Sequence, residues 1–275
     1  MGDPTPSIES GTVFGSGGGV DLTCDIYSPP EGDAPRAAIL LLRSRGVVSA
    51  PDLVVFAHLL TRKGHVCIVP EFRVGFRSTE QGLQPFEQEK WPAPLHDVKA
   101  ATRWTRANSE RLGIDPGRIV LYGASNAGMI GLVAAGTADD PHFEGQGGNH
   151  GVSSGVAAVI AVNAPVRLSQ WGVPLIAGAS ASQETIDEVA PIRYARAGHP
   201  PAMLLHGTDD QMIPAANSEA MFQALREAQV PAELHLYAGQ GHGFAAQPQF
   251  INHTADLIAL FVSRYAGGHT PGAAP

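Results

Sequence analysis

Cysteine is almost missing from this chain: Cys24 and Cys67 are the two among 275 residues. That is too few for a disulfide framework, and both fall in stretches that read as strands. They are therefore expected as buried free thiols, which suits a reducing, cytoplasmic setting. Basic clusters are missing as well. A formal net charge of −8 without a run of lysine or arginine excludes the electrostatic footprint of a nucleic-acid binder or of a protein held on an anionic membrane. No stretch reaches the roughly 20 apolar residues of a transmembrane helix. The segment Met1-Gly2-Asp3-Pro4-Thr5-Pro6 has neither the basic nor the apolar part of a secretion signal, and Pro6 stands where a myristoylation pattern needs Ser or Thr. His142 and His150 have no spacing that suits a ligand pair and no cysteine to join them, so no metal site is expected.

What is present is apolar material in short, regular portions. Hydrophobic residues make up 44% and charged residues 16%, enough for one α/β domain with a sizeable core over 1–265, followed by a Gly/Pro/Ala-rich tail over 266–275. Residues 12–15 and 22–27 read as antiparallel edge strands. The glycine run Ser16-Gly17-Gly18-Gly19 between them precedes a strand rather than a helix and lacks a Lys-Ser/Thr end, so it is a turn and not a phosphate cradle. Residues 37–42 read as a central strand, 52–63 as a helix, 64–70 as a strand and 93–112 as a helix with His96 toward solvent. The intervening 75–91 reads as a loop whose Phe76, Phe86 and Trp91 could wall a pocket.

The chain is organised around Ile119-Val120-Leu121-Tyr122-Gly123-Ala124-Ser125-Asn126-Ala127-Gly128-Met129. An apolar run suited to a buried parallel strand leads into a turn of very small residues, and 126–135 is small and helix-compatible. A side chain projected from so sharp a turn needs small residues two positions to either side, and Gly123 and Ala127 supply them. Ser125 then sits at a nucleophile elbow, with the Asn126 N–H at a helix N-terminus that favours a developing oxyanion. A serine needs a histidine to take its proton, and the histidine needs a carboxylate to fix its tautomer. Residues 201–206 read as a strand leading into Gly207-Thr208-Asp209-Asp210, and 232–237 as a last strand leading into the glycine-flanked His242. Ser125, Asp210 and His242 would thus follow three strands on the same rim of a parallel sheet, with Asp209 as the alternative acid. His206 reads as a structural hydrogen-bonder, Arg73 as an ion-pair partner and His235 as exposed on an edge strand. Residues 163–200 form the longest excursion between strands, the expected source of a small lid, and 247–264 close the fold as a helix.

In this order of residues the chain resembles the α/β-hydrolase superfamily, in particular its esterase/lipase branch. Pro94-Leu95-His96-Asp97-Val98-Lys99-Ala100-Ala101, Gly113-Ile114-Asp115-Pro116-Gly117-Arg118-Ile119 and Asp210-Gln211-Met212-Ile213-Pro214 are similar to segments of that branch. Asp210 is preferred over Asp209 because it stands four residues before Pro214, as the acid of the branch does. The resemblance implies a mostly parallel, eight-stranded α/β-hydrolase sheet with helices on both faces and a minimal cap. It implies a carboxylic ester hydrolase acting through an acyl-enzyme on a small-molecule ester, without a cofactor; a homodimer stays open. It also places the oxyanion donors on the N–H groups of Asn126 and of Ser44 or Arg45. Here the sequence departs from its relatives: Arg43-Ser44-Arg45-Gly46 stands where the branch has His-Gly-Gly-Gly. Arg43 and Arg45 are either solvated charges or binders of an anionic substrate group. The altered loop keeps a lyase, cyclase or acyltransferase on the same scaffold as the alternative function.

Overall fold

The structure, a computed structural model, describes residues 6–30, 32, 35–44, 51–169 and 172–266. In chain order its strands and helices are β1 (Ser7–Gly17), β2 (Val20–Ser28), β3 (Arg36–Leu41), β4 (Arg43–Ser44), α1 (Pro51–Arg62), β5 (Val66–Phe72), β6 (Phe76–Thr79), β7 (Gly82–Pro85), α2 (Ala93–Ala107), α3 (Ser109–Leu112), β8 (Ile114–Ala124), α4 (Asn126–Gly136), β9 (Ala158–Val162), α5 (Gly172–Ile176), α6 (Gln183–Glu188), β10 (Ala202–Gly207), α7 (Ala216–Glu227), β11 (Ala232–Tyr237) and α8 (Ile251–Tyr265). The main sheet runs β1-β2-β5-β3-β8-β9-β10-β11, with β4 paired to β5 off that path. β2 is antiparallel to both its neighbours, and every other pair from β5 to β11 is parallel.

Strands that are apolar on both faces have to be covered on both. Along β3, Ala38 and Leu40 join Leu95 and Val98 of α2, Met129 and Ile130 of α4, and Met221 and Leu225 of α7. Ile39 and Leu41 point the other way, to Phe56 and Leu60 of α1 and Ile258 and Phe261 of α8. The same alternation separates the cysteines. Cys24 lies in the first of these cores and Cys67 in the second, so the sheet itself stands between the two free thiols. Burial pushes each of them up to about 12. Among the described residues no helix is long and apolar enough to cross a membrane.

Four local expectations need correction. The strand read over 64–70 is β5, displaced to Val66–Phe72, because Gly64, at φ +90, closes the turn after α1. The helix read over 93–112 breaks at Asn108, whose Nδ2 turns back to the Trp104 carbonyl over 2.9 Å and competes with the helical ladder. The loop 75–91 contains the antiparallel hairpin β6–β7, where Arg77 stacks on Phe86 and pairs with Glu89. His96 is half-buried rather than solvent-facing, because 138–154 folds back along α2. Glu144 binds Lys99 Nζ there over 2.7 Å, and a Cβ at Gly145 would stand 2.4 Å from His96 Cγ. Burial draws the His96 pKa down accordingly.

Arg73 is the ion-pair partner its position suggested. Its backbone N–H, Nε and Nη2 all donate to the Asp97 carboxylate, over 2.9, 2.8 and 2.7 Å. The glycine run explains itself against this pair: a Cβ at Gly17 would stand 2.4 Å from Arg73 Nη2, and one at Gly18 2.6 Å from Nη1. The β1–β2 turn is glycine so that it can lie on the guanidinium. Asp97→Ala leaves that guanidinium buried and uncompensated and is expected to cost about 3–5 kcal/mol of stability, read as a fall in the urea midpoint.

Candidate active site

Strand order locates the crevice before any side chain does. From β3 the chain steps to β5 on one side, then returns to β8 and proceeds through β9, β10 and β11 on the other. The order therefore reverses between β3 and β8, and ligands of open α/β sheets bind beyond the carboxyl ends of the strands at such a switch point. Ser125 follows β8 there and Ser44 ends β4 just past β3. They meet through Asn126, whose Nδ2 donates to Ser44 Oγ over 3.2 Å.

Ser125 caps α4 at φ 55, ψ −126, outside the regions that L-residues populate freely, a strain typical of functional turns. The turn is held by the Ser125 N–H, which donates to the Val162 carbonyl over 2.7 Å. Gly123 is obligatory: a Cβ there would stand 2.4 Å from the backbone carbon of Ala127. Asn126 is the first residue of α4, so its N–H has no acceptor within the helix, and none is found elsewhere among the described residues, which leaves it available to a ligand. Ala127 through Ala135 are all buried, as befits a helix apolar all round, and the elbow stands on a rigid support.

Two strands further on, Asp210 lies 4% exposed with all its acceptor positions in use. Oδ1 takes the N–H groups of Met212 and Ile213 over 2.9 and 2.8 Å. Oδ2 takes Nδ2 of Asn163 over 2.8 Å and Nδ1 of His242 over 2.7 Å. Burial alone would raise the Asp210 carboxyl, but the Ile213 N–H, the hydrogen bond and charge of His242 and the Met212 N–H outweigh it and hold the group below the usual carboxylate range. Asp209 is exposed and bonds Thr208 instead, so Asp210 is the acid that meets the histidine.

His242 reaches Asp210 because its loop folds back over the end of β10. The Asp209 N–H donates to the Gln240 carbonyl over 2.9 Å and the Thr208 N–H to Tyr237 over 3.0 Å, while the Gly239 N–H donates to Thr208 Oγ1 over 2.9 Å. A Cβ at Gly207 would meet the Gln240 carbonyl oxygen at 2.1 Å. His206, in β10, is held between Ser218 Oγ of α7 at 2.7 Å and the Ile213 carbonyl at 2.8 Å. Burial lowers its pKa, and the neutral ring braces the segment that carries Asp210.

The remaining candidates are placed differently. Arg43 directs Nη2 to Glu71 over 2.9 Å and to Asp25 over 3.4 Å, so its charge is matched within the sheet edge. Arg45 lies outside the described residues. Phe76 is buried in the core. Trp91 is 6% exposed and ties two excursions together: its N–H donates to the Ile176 carbonyl over 3.0 Å and its indole to Glu188 over 3.3 Å. Among the described residues no hydrogen bond or ring contact joins either aromatic to Ser125, Asp210 or His242. Asn163, by contrast, was not expected at the site. Its sequence signal is slight, a polar residue closing an apolar strand on the functional rim.

The BD-FAE family profile matches residues 24–225. Esterase LipC of Mycobacterium tuberculosis (strain ATCC 25618 / H37Rv) is 27% identical over 220 residues, covering 74% of this chain and 52% of its own. Esterase LipQ of the same organism is 27% identical over 268 residues, covering 91% and 58%. The chain thus spans about half the length of the curated relatives it matches. Among solved structures, the Est2 esterase of Thermogutta terrifontis superposes with a TM-score of 0.74 at 24% identity over 98% of this chain and 96% of that one. That esterase has also been solved phosphorylated by paraoxon. The likeness establishes the α/β-hydrolase fold.

Proposed function

The chain belongs to the BD-FAE family, and we propose that it is a serine hydrolase that cleaves carboxylic esters of small molecules through an acyl-enzyme. The observation that carries this reading is the 2.7 Å contact between His242 Nδ1 and the buried Asp210 carboxylate, on the rim where Ser125 stands on its strained turn. A carboxylate on Nδ1 holds the proton there and leaves Nε2 as the base. In this reading His242 Nε2 takes the Ser125 proton as Oγ attacks the ester carbonyl, and the Asn126 N–H and the Ser44 segment hold the oxyanion. His242 then returns the proton to the departing alcohol, and water releases the acid by the same steps in reverse order. Two thiols kept protonated by burial agree with a cytoplasmic protein.

The test is turnover of p-nitrophenyl acetate, butyrate and octanoate before and after treatment with paraoxon. Turnover of the short esters is expected, lost in step with one diethylphosphoryl group per chain on the peptide bearing Ser125. Phosphorylation of Ser125 without turnover of any ester would move the reading to a lyase, cyclase or acyltransferase. Neither label nor turnover would end the serine-hydrolase reading.

A further inference from the structure

Asn163 is the first residue after β9, and three of its features do not fit a residue that merely ends a strand. Its backbone stands at φ +49, where asparagine is tolerated but glycine carries no steric penalty. Its side chain is buried, and Oδ1 has no hydrogen-bond partner among the described residues, an arrangement that costs stability. Its Nδ2 donates to Asp210 Oδ2 over 2.8 Å. For the backbone alone glycine would serve better, so what this amide contributes is the bond it makes to the acid.

That bond decides which way the acid faces. Asp210 Oδ2 is shared by Asn163 and His242, while His206 Nε2 stands 3.4 Å from the same oxygen. An ionised carboxylate offers about four acceptor sites; Met212 and Ile213 occupy two on Oδ1, and His242 and Asn163 the two on Oδ2. Without the amide, Oδ2 is free to turn toward His206 and away from the axis of the His242 Nδ1–H. The amide cannot be reversed, because Oδ1 would then face a carboxylate oxygen. The preceding residue, Val162, accepts the Ser125 N–H over 2.7 Å, so the nucleophile turn and the acid are both referenced to the end of β9.

We propose that Asn163 is a positioning residue that aims the Asp210 carboxylate at His242 and keeps it from His206. The proposal rests on the Ser-His-Asp reading above. Asn163→Ala removes the donor and keeps the backbone strain; Asn163→Gly removes the donor and relieves the strain. A residue serving only the backbone would leave both variants fully active. Here kcat on p-nitrophenyl butyrate is expected to fall about 10- to 100-fold in both, with KM little changed, while Asn163→Gly melts no lower than the parent. Either variant, folded and with kcat within about twofold of the parent, overturns the proposal alone. A parent inert on all three esters overturns the esterase reading and the proposal with it.

Discussion

Ser125→Ala is expected to lower kcat on p-nitrophenyl butyrate by roughly 10⁴-fold or more, the loss seen when a triad nucleophile is deleted and only oxyanion and binding contributions remain. The fold should not respond, because the hydroxyl makes no side-chain cap to α4 and both residues are strained alike at φ 55. Ser125→Gly separates the two roles further. Glycine carries no Cβ into that conformation, so the strain of about 1–3 kcal/mol that a non-glycine residue stores there is released. The variant should unfold at higher urea while remaining inactive. Wild-type turnover in Ser125→Ala would remove the serine from the mechanism. A glycine variant less stable than the parent would show that the turn is not strained in solution.

The second large effect is expected at the acid. Asp210→Asn keeps the size of the side chain but replaces one of two oxygens, both in use, by a donor. Placed at Oδ1, the new NH2 faces the N–H groups of Met212 and Ile213 and opens the loop; placed at Oδ2, it faces Asn163 Nδ2 and His242 Nδ1–H. The second arrangement is relieved when the Asn163 amide reverses, so that its Oδ1 accepts, and His242 changes tautomer, which puts the proton on Nε2 and leaves no base for the serine. A loss of about 10⁴-fold in kcat is therefore expected, with KM near the parent value. The stability change depends on pH in a defined direction. The Asp210 pKa is lowered in the folded state, so its contribution is present above the unfolded pKa and is lost as pH falls through the folded value. The variant should thus be less stable than the parent at neutral pH, and the gap should close in acid. A parent-like kcat would show that Asp210 does not govern the tautomer.

Much of the site was legible because its signals are contiguous. Gly123, Ser125 and Ala127 lie within one turn, the apolar residues of β8 announce a buried strand, and the glycines at 241 and 243 mark the loop of His242. The readings that missed were those in which distant segments decide a residue's surroundings. His96 read as a solvent-facing position on its helix until 138–154 folded over it. Arg43 read either as a solvated charge or as the binder of an anionic substrate group until Asp25 and Glu71, 18 residues before it and 28 after, were brought to its side. Trp91, read as a pocket wall, does line a crevice with Arg73, His96 and Asp97, but the carboxylate that holds its indole there, Glu188, lies 97 positions away.

By itself the sequence determined the alternation of strand and helix, the covering of the sheet on both faces, the small-residue turn at Ser125, and the order in which Ser125, Asp210 and His242 follow their strands. These follow from the period of apolar residues and from the small side chains a tight turn requires, which are properties of neighbours in the chain. The preference for Asp210 over Asp209 came from its place four residues before Pro214; only the tertiary structure decided which donors saturate that carboxylate, and that Asn163, 47 positions upstream of it, is one of them. Such bonds form between the ends of separate strands, and the register of a sheet sets their geometry; no local pattern carries it.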